Sequence, residues 1–268
     1  MRMTKRTDGV GRLLCAGMMG AVVTVGVARG ESKYLVCDDH PKLDNFFTLD
    51  FNDPDQPFNP DLVTQAFIST TYYVLDIDPD AGTARFVDYH QDVDPLLLPG
   101  GISTGAITIG IVPDSSSGTF DPETGAYTTT ELYEIFFEGD LSLFGVESPV
   151  VLESTSNGIV GFDTAVTGTI LMEWAGTDTG TLENPQNPGE PLTFSYTCQV
   201  NAQFAQAGTG DFDADIAVDI QDYLAFRACF TGPTTNPVGS ACAAGDFDLD
   251  GDIDLDDSAA FRGAYTGS

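Results

Sequence analysis

Twelve residues near the C-terminus, DFDLDGDIDLDD from Asp246 to Asp257, constrain this chain more than any other segment. Acidic side chains stand at positions 1, 3, 5, 9 and 12, and Gly251 stands at position 6. Seven of the twelve residues are Asp. Two unit charges about 4 Å apart repel by roughly 1 kcal/mol even in bulk water, so closing such a loop without a cation is costly. The spacing suits calcium, which takes six to eight oxygen ligands. A twelve-residue loop supplies them from positions 1, 3 and 5, from the carbonyl at 7, through a water at 9, and from a carboxylate at 12. Gly251 permits the sharp turn because it has no Cβ to clash at positive φ. A solvated acidic run is the plainer alternative, but such a run has no reason to alternate Asp with Phe247, Leu249, Ile253 and Leu255.

The pattern recurs 35 residues earlier as DFDADIAVDIQD, Asp211 to Asp222. Segments 211–232 and 246–267 share eleven of 22 positions, including the Asp at 1, 3, 5, 9 and 12, an Ala-Phe-Arg triplet and a Thr-Gly pair. Repetition of this kind marks two copies of one supersecondary unit. In the first copy Ile216 replaces the turn glycine. A β-branched residue resists positive φ, so this loop is expected to bind more weakly or in altered geometry. A helix should follow each loop, with Asp222, Phe226 and Phe230, and likewise Asp257, Phe261 and Tyr265, at i, i+4, i+8 on one face. Gly232 and Gly267 suit the left-handed position that ends a helix.

Two calcium loops of this form, each followed by one helix and lacking an entering helix, resemble the type I dockerin module. The resemblance covers roughly residues 208–268. It implies two calcium ions, one held by Asp211, Asp213, Asp215, Asp222 and the carbonyl of Ala217, the other by Asp246, Asp248, Asp250, Asp252 through its carbonyl, and Asp257. It also implies a cohesin-like protein partner, met by basic residues at the positions of Arg227 and Arg262. The chain departs from the pattern at loop positions 10 and 11, often Ser-Thr in such modules and here Ile220-Gln221 and Leu255-Asp256. It departs again in the segment from Thr231 to Gly245, which follows Cys229 and contains Cys242.

The 268 residues have room for one sizeable domain and one small one. Residues 1–28, with Arg2, Lys5, Arg6 and Arg12 ahead of an apolar run, have the layout of a secretory signal peptide, so an exported protein is expected. A net charge of −31 makes phosphate backbones and anionic membranes poor partners. Four cysteines lie beyond the leader, and an even count in an exported chain reads as disulfides, with three pairings open. One bridge per domain is expected, Cys37–Cys198 and Cys229–Cys242. No Cys-x-x-Cys pair supports zinc.

Residues 31–200 read as antiparallel β, a sandwich or an open barrel. Runs such as 71–77, 105–112, 129–137, 148–154 and 168–174 are rich in β-branched and aromatic residues. Turn signals lie at 78–83, 121–126 and 156–158, a loop at 184–191, and a linker at 201–210. The DIDPD run at Asp76, Asp78 and Asp80 is read as a turn rather than a third ion site. A non-catalytic β-rich domain that binds an extracellular target, with a polysaccharide as one candidate, is the leading expectation. The alternative is a dockerin-bearing glycoside hydrolase, for which Glu131, Glu134, Glu138 and Glu173 are the strand acids to weigh. No nucleophile, zinc-protease or phosphate-loop motif is present.

Overall fold

The computed structural model describes residues 32–266, apart from 53–54, 56–59, 177–179 and 235–236. The expected signal segment 1–28 lies outside the described residues. The fold is mainly antiparallel β with short helices at the C-terminal end. Its strands are β1 (Lys33–Asp39), β2 (Phe46–Asp50), β3 (Val63–Asp78), β4 (Thr83–Val93), β5 (Leu97–Leu98), β6 (Ile102–Ser103), β7 (Ile107–Ile111), β8 (Ser117–Phe120), β9 (Ala126–Phe137), β10 (Val150–Phe162), β11 (Thr167–Gly176), β12 (Gly180–Leu182) and β13 (Leu192–Gln206). β5 and β6 pair only with each other, while the rest belong to one eleven-stranded antiparallel sheet.

The pairings of that sheet form a circuit. From β3 they run through β2, β13, β11, β10, β9, β7 and β4, and β4 pairs again with β3. β3 and β13 are long enough to hold β1 and β2 end to end between them. Register shifts near Ile68 and Val74 let β3 bend, as bulges do. Alternation sets which side chains face inward. On β13 the residues Tyr196, Cys198, Val200, Ala202 and Phe204 are buried, and on β9 so are Tyr127, Thr129, Glu131, Tyr133 and Ile135. Trp174 of β11 is wholly buried among aromatic rings, 4.5 Å from Tyr133, and its indole N–H donates to the Tyr89 hydroxyl at 2.9 Å.

Several expectations hold. The DIDPD run is the β3–β4 turn: the Asp78 carboxylate accepts from the backbone N–H of Asp80 and Ala81 at 2.9 and 2.8 Å, while Asp76 pairs with Arg85. Asp121 and Gly125 close the β8–β9 turn. Others are corrected. The SNG signal at 156–158 is no turn, since β10 runs unbroken through it. Gly158 is there for room, because a Cβ would lie 2.5 Å from the Tyr127 ring. Ser156 faces inward, where its hydroxyl donates to Glu131 and lies 3.0 Å from the Tyr133 hydroxyl.

The linker at 201–210 is also overturned. Residues 201–206 continue β13, with Ala202 and Phe204 in the core. The next residues pair with a 3-10 helix at Ser240–Gly245: Gly208 N–H donates to Ala243 and Gly210 N–H to Ala244. The C-terminal unit thus rests on the sheet. Val36, Ala207 and Ala243 are packed together, and Asp38 accepts from both the N–H and the hydroxyl of Ser240 at 2.9 and 2.8 Å.

Of the two expected bridges, Cys229–Cys242 is present, with Cα atoms 5.5 Å apart. Cys37–Cys198 is not: both are free, buried thiols. Cys37 lies opposite Phe204 on β13, six residues beyond Cys198. At about 3.3 Å per strand residue that separates them by roughly 20 Å along the strand, far beyond the reach of a disulfide.

Candidate metal centre

Two helices, α1 (Ile220–Cys229) and α2 (Leu255–Ala264), follow the two acidic loops. Their first turns are built alike. Asp219 and Asp254 cap them, each in a reciprocal box with the acid three residues on, Asp222 or Asp257. Such a box satisfies N–H groups that the first turn of a helix leaves without partners. The last loop residue is therefore also the helix anchor. Asp222 accepts from the N–H of Phe212 at 2.7 Å and of Asp219 at 2.8 Å. Asp257 accepts from Phe247 and Asp254 at the same distances. Both acids are about 1% exposed.

The first acid of each loop ties the turn together. Asp211 accepts from the N–H of Asp215 and Ile216 at 3.1 and 3.0 Å, and Asp246 from Leu249 and Gly251 at 2.8 and 3.2 Å. Asp215 and Asp250 accept from Ala217 and Asp252. In both copies positions 1 and 12 are buried while 3 and 5 are exposed. The result is a carboxylate cage held by its own backbone and open on one side.

Oxygens of Asp211, Asp213 and Asp222 lie within 4.8 Å of one another, as do those of Asp246, Asp248 and Asp250. Asp257 groups instead with Asp252 and Asp254. Crowding moves the acid constants. Burial pushes Asp246 up to about 6, helped by the charges of Asp257 and Asp250 and opposed by the N–H groups of Leu249 and Gly251. Asp213 and Asp248 are also raised, by lost hydration and by neighbouring carboxylates. A hard divalent cation reverses that repulsion, and an all-oxygen donor set of this kind fits calcium.

The side chain of Asp252, expected to serve only through its carbonyl, is buried and accepts from the N–H of Thr234 at 2.9 Å. Arg227 and Arg262 are both exposed on their helices. Phe226 and Phe261 are buried against each other, ring centroids 4.6 Å apart, as their spacing implied, whereas Phe230 and Tyr265 are largely exposed. The helices end at Phe230 and Tyr265, both extended, so Gly232, at φ +68°, lies beyond the cap.

Gly267 lies outside the described residues, but what Thr231, Gly232 and Thr266 do was not foreseen from the spacing. Thr231 and Gly232 donate their N–H groups to Ile253, position 8 of the other loop, and Thr266 donates to Val218, position 8 of the first. Each copy thus clamps the loop of its partner copy. An identical dipeptide at the same offset in both repeats was the signal available.

Ile216 adopts φ +80°, close to the +89° of Gly251 at the matching position. Its side chain is 86% exposed and gains little packing in return. Strain of this type costs on the order of 1–3 kcal/mol, and glycine gives back about 0.5–1 through its freer unfolded chain. Ile216→Gly should therefore raise the melting temperature of the C-terminal unit and strengthen ion binding at the first loop. Gly251→Ile should weaken the second, although only Pro237 atoms at 3.7 and 3.8 Å face the new Cβ. Calorimetry of both variants, with and without calcium, checks the pair.

No helix among the described residues is long and apolar enough to cross a membrane. No family model matches the chain. No curated protein matches it either. Among solved structures it is similar to the outer membrane protein OprG from Pseudomonas aeruginosa, at 8% identity over 66% of this chain and 95% of that one. The TM-score of that match is 0.23, too low to carry an argument about fold or function.

Proposed function

We propose that this is an exported, non-catalytic, modular protein whose C-terminal dockerin-like unit is held in shape by two calcium ions and serves protein docking. The observation that carries this reading is the repeated cage: in each copy the acid that would ligate from position 12 also anchors the helix. Asp246, Asp248, Asp250, Asp257 and the carbonyl of Asp252 would hold one ion, and Asp211, Asp213, Asp215, Asp222 and the carbonyl of Ala217 the other. Calcium supplies charge neutralisation there, so binding and ordering of the loops are one equilibrium. The Cys229–Cys242 bridge favours an oxidising compartment.

Docking would use the exposed helix faces. At loop position 10 the chain carries Ile220 and Leu255, 54% and 76% exposed, near the exposed Arg227 and Arg262. Two equivalent apolar and basic patches suit a cohesin-like or other extracellular protein. A pull-down of exported proteins on the immobilised chain, with calcium and then with chelator, tests this. A partner retained only with calcium, and lost in Ile220→Asp/Leu255→Asp, supports the reading; capture indifferent to both opposes it. The β-rich domain would bind an extracellular target, a polysaccharide being one candidate. The glycosidase alternative has less behind it. Glu131 is buried inside the circuit while Glu173 faces out. Glu134 pairs with Val151 and Glu173 with Asn157, six residues apart on β10. That is roughly 20 Å, against the ~5–10 Å a carboxylate pair needs.

Acid should release the ion. The Asp246 carboxyl titrates near 6 in the folded chain, above the ordinary carboxylate value of about 4. Its ionised form is thus disfavoured by the fold, and without calcium the stability it contributes is greatest below about pH 4 and lost as pH rises through 6. Calcium needs the ionised form, so affinity should fall about tenfold per pH unit below 6. Isothermal titration at pH 5 and 7.5 measures it.

A further inference from the structure

At one end of the strand circuit the inward-facing residues are no longer fully covered. A cavity of about 680 Å³ opens there, walled by Phe47, Ile135, Leu152, Phe194 and Tyr196. Close-packed interiors leave few voids larger than a water, and small-molecule sites commonly measure about 300–1,000 Å³ with mainly apolar walls. Behind the wall stands Trp174, the only tryptophan of the chain, with ring centroids 5.7 Å from both Phe47 and Tyr196.

The charges at this cavity have one sign. Its carboxylate lining residues are the exposed Glu147 and Glu153, and none of the described lining residues is Lys, Arg or His. The aromatic wall offers apolar surface to a hydrophobic body, and carboxylates at the rim supply a counter-charge for a positive head. A carboxylate-headed lipid would meet repulsion at the same rim. We propose that the cavity binds a hydrophobic organic cation, an amine or ammonium on an apolar body, with the body against the aromatic wall and the positive head at Glu147, while Glu153 adds its charge from the outer face of β10. This ligand class deepens the reading of the β-rich domain as a binding unit and is independent of the calcium loops, none of whose residues line the cavity.

The test compares octylammonium with octanoate, which share a tail and differ in head. The full chain is titrated calorimetrically at about 0.15 M salt with calcium saturating the acidic loops, and Trp174 fluorescence is followed in parallel. Octylammonium should bind once per chain, shift the tryptophan emission, and exceed octanoate in affinity by at least about tenfold. Glu147→Lys/Glu153→Lys should reverse that order. Val146→Trp, which fills a half-buried lining position, should remove binding of both while the β circular dichroism is kept. Absence of saturable binding, equal affinity for the two heads, a preference unchanged by charge reversal, or binding intact in Val146→Trp would each overturn the assignment. Any of these would leave calcium binding, and a polysaccharide screen of the same domain, unaffected.

Discussion

Asp257→Ala should lower the calcium affinity of the second loop by about a hundredfold or more and unwind the first turn of α2. Asp257 is about 1% exposed and its two oxygens accept from Phe247 and Asp254. Hydrogen bonds to a charged group contribute about 1.5–3 kcal/mol each, and removing the acceptor leaves two sheltered donors without partners. Losing about 3 kcal/mol corresponds to roughly two decades in affinity, before the missing ligand itself is counted. Asp257→Asn keeps the shape and one acceptor oxygen but not the charge, so it should fall between. Asp222→Ala should do the same to the first loop, where Asp222 accepts from Phe212 and Asp219. Isothermal titration gives the affinities and circular dichroism the helix. If Asp257→Ala binds calcium as the natural chain does, the position-12 assignment is wrong.

Removing the disulfide with Cys229→Ser/Cys242→Ser should destabilise the C-terminal unit by about 3 kcal/mol. The bridge closes a loop of 13 residues' separation and ties the end of α1 to the 3-10 helix that leads into the second acidic loop. Few other contacts replace it. The buried apolar cluster of the unit comprises Val218, Phe226, Val238, Ile253 and Phe261, and cores this small commonly depend on covalent or metal staples. For a unit of this size the melting temperature should fall by roughly 15 °C, and a reductant should reproduce the loss in the natural chain. Calcium should recover part of it, since an ion that binds only the folded loops shifts the equilibrium by mass action. Thermal unfolding of the full chain followed by the helical circular dichroism signal checks this; no shift in that transition would contradict the stapling role.

What the sequence made legible was local. The acidic spacing, the repeat and the Phe226–Phe261 pairing follow from residues a few positions apart, and so does the alternation that buries Tyr196, Cys198 and Val200. The same alternation continued into Ala202 and Phe204, and following it two steps further would have replaced the expected linker with strand. The SNG signal misled because small polar residues serve two ends. Here Ser156 meets Glu131 and Gly158 makes way for Tyr127, needs set by neighbouring strands rather than by the segment itself. The Cys37–Cys198 pairing failed for a related reason: which strands are neighbours, and in what register, is decided by the whole circuit. The seat of the small unit on β1 and β13 has the same origin, through contacts such as Asp38 with Ser240, 202 residues apart.

The most direct test of the central claim is calcium stoichiometry. The full chain, stripped with chelator and returned to pH 7.5, is titrated with calcium under native mass spectrometry while circular dichroism follows the helices. Two ions per chain, with a gain of helix and a higher melting temperature of the C-terminal unit, is the predicted result. A chain that stays ion-free at millimolar calcium, or that binds ions with no change in helix or stability, would contradict it.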